Sequence, residues 1–323
     1  MQISKKTISL VIKSLIVLLL LAALYWQIFH NKRFDALWLA FQNELSPKQT
    51  IWLVLAILLM PVNWAFETLK WRALIRRFSG LGFWRAYQAV LAGVAVSLFT
   101  PNRIGEYGGR VLLVESGKGW KAVGATLVGS AAQMLALLSG GIVGLAIFAS
   151  QYFLWEPYIL WSVQSAGLIL AVALLLIYWH IDRVATTLKK LPMIQRWKPI
   201  EEIFELFKTY EKSELKLALF FSWARYFTYC TQYWLMLRFF GVEISLHAAW
   251  PAIASIFFLQ TSVPLPPAIS LLARGEIALL IWSALGANEV SVLAATFGLF
   301  ILNLCLPALL GGWVIVKTND LKS

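Results

Sequence analysis

Apolar stretches separated by short basic ones set the pattern of this chain. Residues 8–29, 50–69, 122–150, 158–179, 217–240 and 290–316 are apolar runs of about the 20 residues that carry a helix across a bilayer. Each predicts a full transmembrane span. The first follows Lys5, Lys6 and Lys13 and resembles a secretion signal. No small-x-small cleavage site follows it, and the apolar pattern continues through Tyr25, Trp26 and Phe29, so a retained span is expected. Pro61 predicts a kink in the second span. Ala132, Ala136, Gly140 and Gly144 form a small-residue stripe suited to close helix packing. Arg225 lies inside the run 217–240, where it must pair with another buried group or reach for the interface. Phe34, Leu37, Trp38 and Phe41 keep helical spacing in a segment too short to cross. Residues 180–216 are the longest polar stretch. Ile200, Ile203, Phe204, Phe207 and Tyr210 mark one face of an amphipathic surface helix within it.

Two further apolar segments are broken in the middle. In the first, residues 86–99 run into Thr100-Pro101-Asn102-Arg103-Ile104-Gly105-Glu106, and residues 104–116 lead away. Pro101 cannot continue a helix and disfavours helical geometry at Thr100. Asn102 is a good N-cap for the helix that follows. On that helix Arg103, Glu106 and Arg110 share a face. In the second, residues 248–261 meet Pro264, Pro266 and Pro267, and residues 269–285 return carrying Arg274-Gly275-Glu276. Each arm has roughly 14–17 residues, short for a crossing. Ionisable groups at membrane depth are costly and usually functional. A surface loop that happens to carry charges is the competing reading of residues 100–110.

Composition agrees with a membrane protein: the 323 residues are 60% hydrophobic and 14% charged, against about 25% charged in ordinary globular domains. The net charge of +12 invites a nucleic-acid reading, but the basic residues flank apolar runs instead of forming a patch. Cys230 and Cys305 sit in apolar runs and predict neither a disulfide nor a metal site. His30, His180 and His247 are far apart. No cofactor and no metal are expected.

Orientation follows from Lys and Arg. One side collects Lys5, Lys6, Lys13, the stretch from Lys70 to Arg85, Lys118, Lys121, the basic residues from Arg183 to Lys216, Lys317 and Lys322. The other holds Lys32, Arg33, Lys48 and Arg238. Both termini are therefore expected in the cytoplasm of a multi-pass protein of the inner (plasma) membrane. Arg85 and Lys118 fall on one side, and His247 and Asn288 on the other. Each broken segment thus returns to its starting side, as a re-entrant hairpin or as two full crossings. The expected fold is an all-α polytopic membrane protein. It has about six full spans plus two re-entrant helical hairpins, in inverted-topology repeats at roughly residues 50–150 and 215–316. All belong to one integral membrane domain over residues 1–323, with residues 180–216 as a cytoplasmic amphipathic segment. Paired proline-interrupted segments point to a transport site at the midplane. Two helix N-termini would face it with partial positive charge, and Arg103, Arg110 and Arg274 would add full charge. A phosphate-bearing lipid headgroup suits such a site. Glu106 and Glu276 would hold the arginines or meet a cationic or hydroxyl-bearing part of the ligand.

The segment Pro101-Asn102-Arg103-Ile104-Gly105-Glu106, with Arg110 and Leu112 beyond, resembles the Pro-Gly-Arg-x-Gly-Glu motif of the lysylphosphatidylglycerol synthase transmembrane-region family, also called flippase-like. Residues 264–276 stand where that family has a second glycine-rich hairpin with an Arg/Glu/Gly cluster. Asn102 replaces a usual glycine, and Pro266-Pro267-Ala268 stands where the family has glycines. The resemblance implies a protein that moves or binds a phospholipid or a polyprenyl-phosphate type of lipid. The substrate-binding residues expected are Thr100, Asn102, Arg103, Glu106, Arg110, Arg274 and Glu276. The hairpin breaks expected are Pro101, Gly105, Pro264, Pro266, Pro267 and Gly275. Fused members carry a cytoplasmic aminoacyl-transferase domain, so synthase activity is not expected of this chain. No nucleic-acid partner is expected, and self-association stays open. A scaffold for a lipid-modifying enzyme, or an intramembrane enzyme using Glu106 and Glu276 as acid and base, are the alternatives.

Overall fold

The computed structural model describes residues 22, 34–98, 100, 104–152, 156–190, 197–262 and 267–317. The first expected span, 8–29, lies outside the described residues but for Ala22. Helices α1 (Phe34–Asn43) and α2 (Pro47–Ile75) lead to α3 (Phe83–Ser97) and the short α4 (Gly105–Val111). Then come α5 (Gly119–Tyr152), α6 (Pro157–Trp179), α7 (Ile181–Leu188) and α8 (Lys198–Thr209). After α9 (Lys212–Phe239), α10 (Leu246–Ser262) and α11 (Pro267–Ser283), α12 (Glu289–Phe300) passes through a π-helical turn, Ile301–Cys305, into α13 (Leu306–Lys317). No strand occurs among the described residues.

Among the described residues four helical stretches are long and apolar enough to cross a membrane: Pro47–Ile75, Gly119–Tyr152, Trp161–Trp179 and Glu289–Lys317. The helix α9 has 28 residues but carries Arg225 and many polar and aromatic side chains. Pro61 does not break α2, which runs on as one helix. Near the end of the chain Pro307 offers no N–H and crowds the preceding turn. The π turn just before it relieves that crowding by hydrogen bonding one residue further back, from the Leu306 N–H to the Ile301 carbonyl.

Helices α2 and α9 form the central pair. Trp52 meets Trp234, Phe66 meets Phe221, and Arg77 reaches Glu211 and Glu214, so the two run antiparallel. Glu211 and Glu214 cap α9 reciprocally. The small-residue stripe of α5 is used as expected. Gly140 faces Tyr226, and Gly144 faces Ala254 and the Pro251 carbonyl, so a side chain there would push α9 and α10 away. By contrast, α6 leaves Trp161, Leu168 and Ile169 exposed, at 73%, 63% and 69%, which is the surface a lipid-facing helix presents. At one end of the bundle α8 lays Ile203 and Leu206 on Gly124, while Lys189 binds Glu201 and Glu205 at 2.9 and 2.5 Å.

These contacts give the molecule two ends. Arg77, Glu211, Gly119 and Lys317 lie at one, the basic end. Glu44 and Gly241 meet at the other.

Candidate functional site

Helices α3 and α4 form a tight hairpin whose seam is glycine. A Cβ on Gly109 would come within 2.6 Å of the Ala92 carbonyl oxygen and of Gly93 Cα. One on Gly105 would strike the Val96 carbonyl, and one on Gly93 would meet the Glu106 carbonyl oxygen at 3.0 Å. The pairing 105 with 96 and 109 with 92 makes the arms antiparallel. Both arms end on one cavity at the basic end, lined by Arg85 and by Gly117. The turn is closed by Thr100, whose Oγ1 accepts the Gly105 N–H at 2.6 Å. The expected cap, Asn102, lies outside the described residues, as do Pro101 and Arg103. Helix α4 is also shorter than expected: seven residues, ending at Val111 instead of Ser116.

Behind this hairpin lies a buried charge cluster. Glu67 of α2, 3% exposed, is its hub. Its Oε1 accepts Arg110 Nη2 of α4 at 2.8 Å. Its Oε2 accepts Arg225 Nη1 of α9 at 2.8 Å and Lys70 Nζ at 2.7 Å. Arg110, itself 1% exposed, also pairs with Glu106 four residues before it. Lys70 reaches Gln133 Oε1 of α5 at 3.3 Å. Two indoles cover the guanidinium groups: Trp71 lies 5.5 Å from Arg110, and Trp64 lies 4.8 Å from Arg225. One carboxylate therefore ties α2, α4 and α9 together. Three cations stand against two carboxylates in this group, a formal excess of one positive charge. Arg110 Nε and Arg225 Nε are buried without a hydrogen-bond partner among the described residues. Such spare donors at depth call for an acceptor.

Glu106 and Arg110 were expected at the site, and the structure joins them. Glu67 and Lys70 are not among the residues expected there: the sequence places Lys70 in the basic stretch at the end of the second span, yet it is 2% exposed. Their spacing of three on one helix face, beside Trp64 and Trp71, was the available signal. Arg225, expected to pair with another buried group or reach for the interface, pairs with Glu67.

The second hairpin joins α10 and α11. Gln260 of α10 accepts Arg274 Nη1 at 3.2 Å and donates to the Arg274 carbonyl at 3.3 Å, which fastens α10 to α11. A Cβ on Gly275 would meet Leu293 of α12 at 3.0 Å. Glu276 is exposed. Pro267 begins α11, and Pro264 and Pro266 lie outside the described residues. Among the described residues no group of three or more His, Cys, Asp or Glu side chains is placed to hold a metal ion. Cys230 and Cys305 are buried and form no disulfide.

A comparison with protein families matches residues 10–311 to the family described as lysylphosphatidylglycerol synthase TM region. Comparison with curated proteins and with solved structures gives no match.

Proposed function

Because the chain belongs to the lysylphosphatidylglycerol synthase TM-region family, we propose that it is a lipid flippase-like transporter of the plasma membrane. It takes an anionic, phosphate-bearing headgroup between two re-entrant hairpins, α3/α4 and α10/α11, which enter from opposite leaflets. The observation that carries this reading is the buried, net-cationic cluster around Glu67, Arg110 and Arg225. A charge left at depth is retained where it serves a function. The lengths support re-entrance: α3 and α4 have 15 and 7 residues, roughly 22 and 10 Å of helix, below the ~30 Å of a hydrocarbon core. In this reading Arg103, Arg110 and Arg274 meet the phosphate, and Thr100 and Asn102 shape the first turn. Glu106 and Glu67 hold the arginines while the site is empty, and Glu276 meets the rest of the headgroup. No bond is made or broken in the lipid.

The closed state of the cluster favours a second reading, a scaffold that binds lipid without moving it. One experiment separates them. The purified chain is placed in liposomes with headgroup-labelled phosphatidylglycerol, phosphatidic acid or phosphatidylcholine, and a membrane-impermeant quencher is added. Inner-leaflet label of an anionic lipid should become accessible, and Arg103→Ala and Arg274→Ala should each stop this in folded protein. If no lipid of the panel moves, the transporter reading fails. It fails equally if Arg→Glu at both positions moves lipid as fast as the unaltered chain.

A further inference from the structure

A half-open cavity of about 1000 Å³ lies at the basic end of the molecule, outside the charge cluster. Three segments wall it: residues 80–88, residues 111–117 after α4, and the last turn of α13. Arg72 donates to the Leu81 carbonyl at 3.2 Å and fixes the first wall. Arg85 and Lys317 line the cavity, are exposed, and make no ion pair among the described residues. The carboxylate on its wall, Glu115, is already held by Lys118 at 2.5 Å. The cavity is therefore cationic, with Gln88 as a further donor. Its inner wall includes Val111, the residue after buried Arg110, so the groove abuts the cluster.

Aromatic side chains fix its level. Trp313 lines the cavity, 60% exposed, with Lys317 Nζ 4.8 Å from its ring. Trp84 and Trp120, beside Arg85 and Gly119, are 74% and 49% exposed. Exposed tryptophans gather where hydrocarbon meets headgroup. A cationic groove at that level meets the phosphates of one leaflet, whereas a site for a free anion has no need of an indole rim. Its volume is ample for a glycerophosphate headgroup, since drug-sized ligands occupy roughly 300–1,000 Å³.

We propose that this groove is the loading site for the headgroup of an anionic phospholipid from the adjoining leaflet, with Arg85 and Lys317 as the phosphate's partners. What happens to the lipid afterwards rests on the transporter reading; the binding does not.

The test uses the full chain in nanodiscs. Both native cysteines are buried, so Ser116→Cys, on the groove wall, supplies the reactive thiol. Its labelling by an uncharged maleimide is timed in phosphatidylcholine discs and in discs containing phosphatidylglycerol. Thr186→Cys, exposed on α7 away from the groove, corrects for surface charge. Phosphatidylglycerol should slow Ser116→Cys several-fold relative to Thr186→Cys, and Arg85→Gln with Lys317→Gln should abolish the difference. Equal rates in the two discs overturn the proposal, as does protection that survives the double substitution. Inorganic phosphate added to phosphatidylcholine discs should give no protection; if it does, the groove is an ion site and not a lipid site. The measurement needs no lipid movement, so a chain that translocates nothing can pass it and an active transporter can fail it.

Discussion

Glu67 decides how the charged centre holds together. Its two oxygens take three cations, Arg110, Arg225 and Lys70, while Glu106 takes Arg110 from the other side. Removing one partner of a buried pair leaves an uncompensated charge, at a cost on the order of 3–5 kcal/mol. Glu67→Gln does this to Lys70 and Arg225 at once and leaves Arg110 with Glu106 alone. Glu106→Gln leaves Arg110 still bound to Glu67, and the Glu106 side chain is itself 15% exposed. Thermal unfolding in detergent should therefore fall much further for Glu67→Gln than for Glu106→Gln. Equal, small losses would mean that water reaches the cluster and screens it. At this scale the sequence was half informative. The pair Glu106 and Arg110 could be read from their spacing, because both sit on one short helix. The hub could not, because Glu67 and Arg225 are 158 positions apart and only the antiparallel packing of α2 on α9 brings them together. The Lys and Arg count added to the difficulty by assigning Lys70 to the water-facing stretch it borders.

The hairpin α3/α4 depends on the absence of side chains. Along its seam Gly105, Gly93 and Gly109 let two backbones touch, and Gly311 of α13 meets the Leu91 carbonyl on the far side of α3. Gly108 is one residue from Gly109 but points where a Cβ would meet nothing within 4 Å. The two make a matched pair. Gly108→Ala should be tolerated or slightly stabilising, since alanine favours a helix over glycine by up to about 1 kcal/mol. Gly109→Ala must open the hairpin and should cost about 1–3 kcal/mol by overpacking. Comparing their melting temperatures checks this, and equal values would show that the seam is loose. A break is expected at Pro101, which disfavours a continuous helix and lies outside the described residues; α3 ends at Ser97 and α4 begins at Gly105 on either side of it. The length of α4 was not legible: residues 112–114 are apolar and could extend the helix, but it ends at Val111 and residues 112–116 line the groove. The role of Thr100 was hidden for a similar reason. Its hydroxyl reaches five residues ahead to Gly105 across a turn, not along a helix.

For the whole molecule, the two-ended arrangement turns the charge count into geometry. Arg85 and Gly117 line one cavity, so the segment between them begins and ends at the same end. Helix α5 then runs from that end to the opposite one, where α10 starts beside its final turns, with Gly144 on Ala254. The short turn between α11 and α12 is expected at that opposite end too, because α12 and α13 run back to Lys317 in the basic groove. In a membrane this predicts two classes of site. Single cysteines replacing Arg85 or Lys118 should react with an impermeant maleimide from one face only, and those replacing Gln151 or Glu289 from the other face only. All four positions are exposed or half-buried, and Cys230 and Cys305 are buried, so background labelling is low. If the basic end lies inside, as the excess of Lys and Arg leads one to expect, the first pair should label only in inverted vesicles and the second only in intact cells. If Arg85→Cys and Lys118→Cys label from opposite faces, the first broken segment spans the membrane, and the inverted relation between the two hairpins is lost with it.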